Sequence, residues 1–122
     1  MEGYIINVEQ ETVKNNNYRR VLYTSPNYQQ LVVMSLRPRE EIGLEVHNEN
    51  DQFIRIEAGI GLFQLGNEYY EIGDGVAMIV PAGTYHNVIN TSQTNDLKLY
   101  TIYTPPHHPD QLIQKYKPSD ED

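Results

Sequence analysis

The fold is decided by residues 73–90, which read GDGVAMIVPAGTYHNVIN. Asp74-Gly75 and Pro81-Ala-Gly83 are turn sequences, because glycine reaches positive φ without a steric penalty and proline presets φ near about −65°. Between them, the apolar run Val76–Val80 is predicted to form a buried strand. After Gly83 the chain is extended again, so that His86, Val88 and Asn90 lie on one face of the next strand. The stretch therefore directs an imidazole inward from a strand that follows a rigid turn.

Most of the remaining chain has a two-residue periodicity in short runs, with turn residues between them. β-branched and aromatic residues dominate these runs, as is typical of strands. We predict strands at Tyr4–Val8, Tyr18–Thr24, Gln30–Leu36, Leu44–His47, Gln52–Ala58, Gly61–Leu65, Tyr69–Ile72, Val76–Val80, Thr84–Asn90 and Leu97–Tyr103. So many short strands at regular spacing indicate an all-β sandwich or barrel.

Helices are nearly absent from the pattern. Only the segment that starts at Pro109-Asp110 has a helical start and spacing, through Leu112, Ile113 and Tyr116. Asn15–Asn17 is predicted to be a loop, and Lys117–Asp122 a frayed acidic tail.

Composition restricts the function classes. The 122 residues predict one domain, 1–122, without a secretion signal or a run of about 18 apolar residues that could cross a membrane. A net charge of −8 with scattered cations argues against nucleic acid as a partner. The lack of cysteine excludes disulfides and thiolate metal sites, and it agrees with the cytoplasmic location that we expect.

Four polar side chains are candidates for one inward-facing cluster. In the run Gln52–Ala58, the interior face is predicted to carry Gln52, Ile54, Ile56 and Ala58, because the other face would bury two charges. Glu45 and His47 are two residues apart and share a face, and His86 would be the fourth donor. Imidazole nitrogen with carboxylate and amide oxygen suits a divalent ion such as Zn²⁺, Mn²⁺, Fe²⁺ or Ni²⁺.

The spacing of these residues resembles that of the cupins. The second cupin motif is a glycine, five residues, proline, any residue, glycine, two residues, histidine, three residues and asparagine. It is matched at every fixed position by Gly75, Pro81, Gly83, His86 and Asn90. The places of the first motif hold Arg39, Glu45, His47, Gln52 and Gly59, so that its spacing is kept while three residue types differ.

This resemblance implies a small jelly-roll β-barrel with a core at about residues 30–104, flanked by N-terminal strands within residues 4–24. Carried over residue by residue, it implies metal ligands at Glu45, His47, Gln52 and His86. The set departs from the usual three histidines and one glutamate, yet keeps one formal negative charge. Cupin sugar-phosphate isomerases are similar in using glutamine, glutamate and two histidines on zinc.

Each candidate also has a structural alternative. The two histidines could be hydrogen-bonded core residues, Glu45 a solvated edge residue, and Gln52 part of a polar cavity. His107 and His108, after Thr104-Pro-Pro106, form either an exposed turn or a cover over the barrel mouth. Among the tyrosines, which mostly pack with a polar tip, the expected pocket residues are Tyr85, Tyr100 and Tyr103, while Tyr69-Tyr70 could be an interface.

Two functions follow from this interpretation. The first is a metal-dependent enzyme that acts on a small sugar-like or carbonyl molecule, by isomerase-, epimerase- or dioxygenase-like chemistry. Its catalytic residues are unassigned, with Tyr85 and Glu57 as candidates by position. The second is a binding module that holds a sugar or small acid without turnover; a storage role is a third option. As cupins commonly dimerise, we also expect a homodimer, with the N-terminal strand as a candidate for exchange.

Overall fold

The computed structural model describes residues 3–119, which are mostly β-structure. Eight of the ten predicted strands are present with ends within two residues of the predictions, so periodicity located most of the sheet. The elements are α1 (Val8–Lys14), β1 (Arg19–Ser25), β2 (Gln29–Leu36), β3 (Asp51–Ala58), β4 (Ile60–Leu65), β5 (Glu68–Gly73), β6 (Ala77–Val80), β7 (His86–Asn90), β8 (Leu97–Thr104) and β9 (Ile113–Gln114).

Two antiparallel sheets form the jelly-roll barrel. The larger has six strands in the order β6-β3-β8-β2-β1-β9, and the smaller has three in the order β5-β4-β7. Isolated bridges from Glu41 to Ile89 and from Glu45 to His86 attach the irregular segment 41–45 to the free edge of β7. The predicted all-β jelly-roll fold is therefore confirmed.

The core lies between the two sheets and is built from alternate residues of each strand. In β3, Gln52, Ile54 and Ile56 are buried while the residues between them are half-exposed, as the sequence predicted. Burial of an isoleucine side chain contributes about 1.5–3 kcal/mol to the free energy of unfolding. The β2 and β8 strands supply further large core residues, among them Val32, Met34, Leu36, Leu97 and Leu99.

The N-terminal segment was predicted wrongly. Residues 3–7 form no strand, and the helix α1 follows where the sequence predicted none. Asn7 starts this helix, because its side chain accepts a hydrogen bond from Gln10 N at 3.0 Å. Glu9 and Glu11 lie in the first turn and Lys14 in the last, which complements the helix dipole.

The C-terminal helix was also predicted wrongly. Residues 113–114 form the short strand β9 against the edge of β1, where Arg19 faces Gln114. The Arg19 guanidinium donates to Gln114 Oε1 at 2.6 Å, and Val21 N donates to Leu112 O at 2.8 Å. The second bond satisfies a backbone carbonyl that a helix would have satisfied internally. Of the predicted acidic tail, residues 120–122 lie outside the described residues.

Two further strand predictions need correction. Only Glu45 of the predicted strand Leu44–His47 makes a β-bridge, and the rest is irregular. The predicted buried strand Val76–Val80 is the edge strand β6, in which Met78 and Val80 face the core while Ile79 is 68% exposed. A run of apolar residues does not distinguish a buried strand from an edge strand with one solvated face.

Within residues 3–119, no helix has the length and apolar character needed to cross a membrane.

Candidate metal centre

Three of the predicted ligands lie together in the barrel. One ligand atom each from Glu45, His47 and His86 lies within 4.8 Å of the others. His47 Nε2 is 3.4 Å from Glu45 Oε1, and the two imidazole rings have centroids 5.3 Å apart. The fold therefore brings one carboxylate and two imidazoles into one small volume.

Backbone pairing explains this convergence. Glu45 and His86 exchange both of their backbone hydrogen bonds at 2.9 Å, so they are directly opposed residues of an antiparallel pair and their side chains share a face. His47 is tied to the same region because its carbonyl accepts from Gly83 N at 2.9 Å. Gly83 has φ of +84°, which a glycine adopts without strain. The turn at 81–83 thus helps to position both histidines, because it binds the backbone of His47 and leads directly into His86.

His86 is held in the tautomer that a metal ligand needs. The side chain is buried, and its Nδ1 lies 3.0 Å from the carbonyl oxygen of Thr84. Since a carbonyl only accepts, Nδ1 carries the proton and Nε2 keeps its lone pair. Burial, reinforced by the neighbouring His47, lowers the pKa of His86, against opposing effects of the Thr84 carbonyl and Glu45. The neutral imidazole is therefore favoured.

Gln52 approaches from the opposite sheet. It faces inward from β3 and is buried, and its amide Nε2 donates to Thr101 Oγ1 at 2.9 Å. Its register partner Tyr103 has a ring centroid 5.7 Å from that of His47, so Gln52 and His47 belong to the same layer of the barrel. The hydrogen bond to Thr101 fixes the amide so that Oε1 is the atom available as a ligand.

The donor atoms fit a divalent ion. His47 Nε2, His86 Nε2 and Gln52 Oε1 are buried and have no hydrogen-bond partner. A buried polar atom left without a partner costs about 1–3 kcal/mol, and such atoms need an explanation. A cation at this place would satisfy all three lone pairs and pair with the Glu45 carboxylate. Two nitrogen and two oxygen donors suit a first-row transition metal and do not select among them.

The other sequence candidates lie elsewhere. Glu57 projects from the face of β3 opposite Gln52 and forms an ion pair with Arg55, 3.3 Å from its Nε. Tyr85 is 55% exposed beside His86, and Tyr100 packs on the outer face of the larger sheet against Phe53. None of these three side chains joins the group formed by the donors.

Sequence reasoning left one part of the site open. The ring of His107 packs against His47, with centroids 4.3 Å apart, and against Tyr103 at 5.2 Å. The two alternatives for residues 107 and 108 are both met in part, because His107 is exposed while its ring covers that of His47. Gln30 and Asn50, which hold this segment, were not singled out, although the even-numbered pattern of β2 places Gln30 inside.

Comparisons with known proteins agree with the fold. The Cupin domain family model matches residues 32–103. An uncharacterized protein of Acanthamoeba polyphaga mimivirus is 48% identical over 94% of this chain and 73% of its own length. The uncharacterized protein YrkC of Bacillus subtilis is 43% identical over 93% of this chain, which spans only 63% of that protein.

A solved structure extends the likeness to the fold. The crystal structure of a Bacillus halodurans protein superposes with a TM-score of 0.91 at 42% identity, covering 95% of this chain and 91% of that one. The matched family model spans more than half of the chain and includes all four predicted ligands. From its motif, its fold and these relatives, the chain belongs to the cupin family.

Proposed function

We propose that this protein is a metal-binding cupin that acts on a small polar molecule, with Glu45, His47, Gln52 and His86 as the metal ligands. The observation that carries the proposal is the set of three buried donor atoms without hydrogen-bond partners, which stand beside one carboxylate. His47 Nε2 has only the Glu45 carboxylate oxygen nearby, at 3.4 Å, and a hydrogen-bonded structural cluster would also have paired His86 Nε2 and Gln52 Oε1.

The ligands set the charge of the site. Glu45 contributes one negative charge, and Gln52 is neutral, so a divalent ion would leave a net charge of about +1. Such a site attracts oxygen anions, which include carboxylates and the enediolates of sugar-like molecules. When bound, the metal supplies Lewis-acid polarisation of a carbonyl or enediolate oxygen. Isomerase-, epimerase- and dioxygenase-like reactions are the classes that we propose.

The surrounding residues support that role. Thr84 O orients the His86 ring, and Thr101 Oγ1 orients the Gln52 amide, so both donors are held in place before a metal arrives. Val80 and Tyr103 are buried beside Gln52 in the cross-strand register and exclude water on that side. Metal-assisted chemistry requires ligands that are held in place and a cavity surface that excludes water.

Metal titration tests the proposal. Apo protein titrated with Co²⁺ should bind one equivalent and develop visible absorption bands, whereas the His47→Ala, His86→Ala double variant should bind none. A matched control is Gln64→Leu, which removes an amide that donates to Gly66 O away from the cluster and should leave binding unchanged. Failure of the wild type to bind Co²⁺, Zn²⁺, Mn²⁺, Fe²⁺ or Ni²⁺ would refute the proposal.

The alternative is a cupin that binds a sugar or small acid without turnover. It is favoured by Gln52, because a neutral amide at this place weakens a metal site relative to a carboxylate. The two functions differ in their dependence on the ligands: a small molecule that binds equally well to the double histidine variant would support the module without a metal.

We also propose a homodimer. Exchange of an N-terminal strand is not its basis, since residues 3–7 form no strand. Support comes instead from the outer face of the larger sheet, where Ile79, Phe53, Ile102 and Leu31 are consecutive register partners across four strands. A surface row of this kind is typical of an interaction site. Sedimentation at micromolar concentration should give a dimer, and a monomer would contradict the proposal.

A further inference from the structure

The segment that follows β8 turns back over the metal centre. We define the mouth turn as residues 104–108. Its His107 ring lies 4.3 Å from the ring of His47 and 5.2 Å from that of Tyr103, measured between centroids. The His47 side chain is only 8% exposed, whereas His107 is exposed. A molecule that reaches the donors from the mouth therefore meets His107 beside His47.

A buried glutamine fixes the mouth turn. Gln30 is fully buried, and its Oε1 accepts from the backbone N–H groups of His107 at 3.1 Å and of His108 at 2.9 Å. Its Nε2 donates to His108 O at 2.7 Å and to Thr24 Oγ1 at 3.0 Å. Both ends of the amide are satisfied, and three of its four bonds go to the backbone of the mouth turn. Such a fully paired buried amide rigidifies what it binds.

A second amide holds the other end of the same turn. Asn50 is buried just before β3, and its Nδ2 donates to Pro105 O at 2.5 Å. The mouth turn is thus fixed on both sides by side chains that belong to other parts of the chain. These protein contacts preorganise its position beside His47.

The strand register places Gln30 in the same layer of the barrel as the proposed ligand Gln52. Tyr103 in β8 faces Gln30 on one side and Gln52 on the other, and all three are buried. The side chain that positions His107 and the side chain that offers Oε1 to the metal are therefore two strands apart in one cross-strand row. The same sheet therefore holds both side chains in fixed relative positions.

We propose that His107 contacts the substrate and that Gln30 is its positioning residue. The inference rests on the proposed metal function. It assigns to His107 the recognition of one oxygen of an oxyanion whose other oxygen would bind at the metal centre. An imidazole can donate to such an oxygen in either protonation state, through whichever nitrogen carries hydrogen. The ligand class is a small carboxylate or enediolate in which the two oxygens are close neighbours.

The test compares two anions on the Co²⁺-loaded protein, followed by the visible bands of the metal. Acetate has a second oxygen for His107 to reach, and fluoride has none. In His107→Ala, we expect the dissociation constant for acetate to rise about tenfold, the low end for a hydrogen bond to a charged group, and that for fluoride to stay within twofold. Gln64→Leu, which loses only an amide bond to Gly66 O, is the control and should change neither constant; His108 is unsuitable because its ring packs against that of His107 with centroids 4.7 Å apart.

A double-mutant comparison tests the positioning role. Gln30→Leu should weaken acetate binding when His107 is present and have no further effect in the His107→Ala background, because both variants remove the same contact. Additive losses would show that Gln30 acts only on general stability and would overturn its assigned role. If Gln30→Leu fails to fold, the His107→Ala test still stands, because it changes an exposed residue and leaves Gln30 in place.

The outcomes separate the inference from the proposal beneath it. Failure of the wild type to bind Co²⁺, Zn²⁺, Mn²⁺, Fe²⁺ or Ni²⁺ would refute the metal function. Normal Co²⁺ binding with equal acetate affinity in wild type and His107→Ala would refute the inference alone. A loss of Co²⁺ affinity in His107→Ala greater than tenfold would also refute it, since His107 would then support the metal and not the ligand.

Discussion

Replacement of His86 by leucine distinguishes a metal ligand from a structural histidine. In the metal-free protein this change loses the bond from Nδ1 to Thr84 O and removes Nε2, a buried acceptor without a partner. The lost bond lowers the free energy of unfolding by about 0.5–1.5 kcal/mol, and removal of the unpaired acceptor raises it by about 1–3 kcal/mol. The free energy of unfolding of the apo protein should therefore stay within about 2 kcal/mol of the wild-type value.

The metal should reveal a larger difference. At a free metal concentration of about 1,000 times the dissociation constant, binding to the native state alone stabilises the wild type by about 4.1 kcal/mol. Loss of one imidazole that weakens binding about 100-fold reduces this gain to about 1.4 kcal/mol at the same concentration. The variant should therefore look nearly normal without metal and clearly weaker with it.

Urea unfolding measures both effects. The chain has ten tyrosines and no tryptophan, so tyrosine fluorescence reports unfolding, in EDTA and again with Co²⁺. Asn90→Leu is the matched control, because Asn90 lies on the same face of the same strand and is also buried. Its Nδ2 donates to three backbone carbonyls, those of Leu36, Arg37 and Asn95. Loss of these bonds should cost at least about 3 kcal/mol with or without metal.

One pattern would refute the reasoning. If His86→Leu destabilised the apo protein by more than about 3 kcal/mol and Co²⁺ stabilised variant and wild type equally, His86 would be a structural core residue. The three unpaired donor atoms would then need a different explanation.

Three further predictions concern pH, ligand charge and packing. Burial places the folded-state pKa of His86 below its ordinary value of 6.5, so the unfolded chain binds more protons than the folded one from pH 6.5 downward. The stability of the apo protein should therefore fall on acidification through that window. A pH series of urea unfolding curves should show less of this loss in His86→Leu. Gln52→Glu should raise Co²⁺ affinity at least about tenfold in calorimetric titration and lower apo stability, because it adds a charge that only the metal neutralises; an unchanged affinity would remove Gln52 from the ligand set. Gly61→Ala should lower the free energy of unfolding by more than about 2 kcal/mol, since its Cβ would lie 2.3 Å from Ile89 O. Gly66→Ala meets no atom within 4 Å and should cost only the local strain of its positive φ. Equal melting temperatures for the two variants would contradict this account of packing.

The sheet and half of the site could be predicted because their signals are local. Alternation in Gln52–Ala58 located the inward face of β3 correctly, and the glycine and proline turns located β7 and His86. Helix α1 also had a local signal, since Asn7 followed by Gln10 is a helix-start pattern. The strand predicted at Tyr4–Val8 was wrong, since residues 3–7 form no strand.

The remaining features depend on contacts that no local pattern carries. Strand β9 exists because Arg19 binds Gln114 across 95 positions of sequence, and the mouth turn is held by Gln30 from 77 and 78 positions away. The segment of Glu45 and His47 is irregular, yet Glu45 still shares a face with His86 because β7 provides its hydrogen bonds. Long-range pairing decides these positions, so periodicity could not.

The central claim is tested most directly by anomalous diffraction from crystals of protein purified from metal-replete medium. We predict one peak at the absorption edge of a first-row transition metal, bonded to His47 Nε2, His86 Nε2, the Glu45 carboxylate and Gln52 Oε1. Crystals with no anomalous peak at this site, and ordered water hydrogen-bonded to the same atoms, would contradict it.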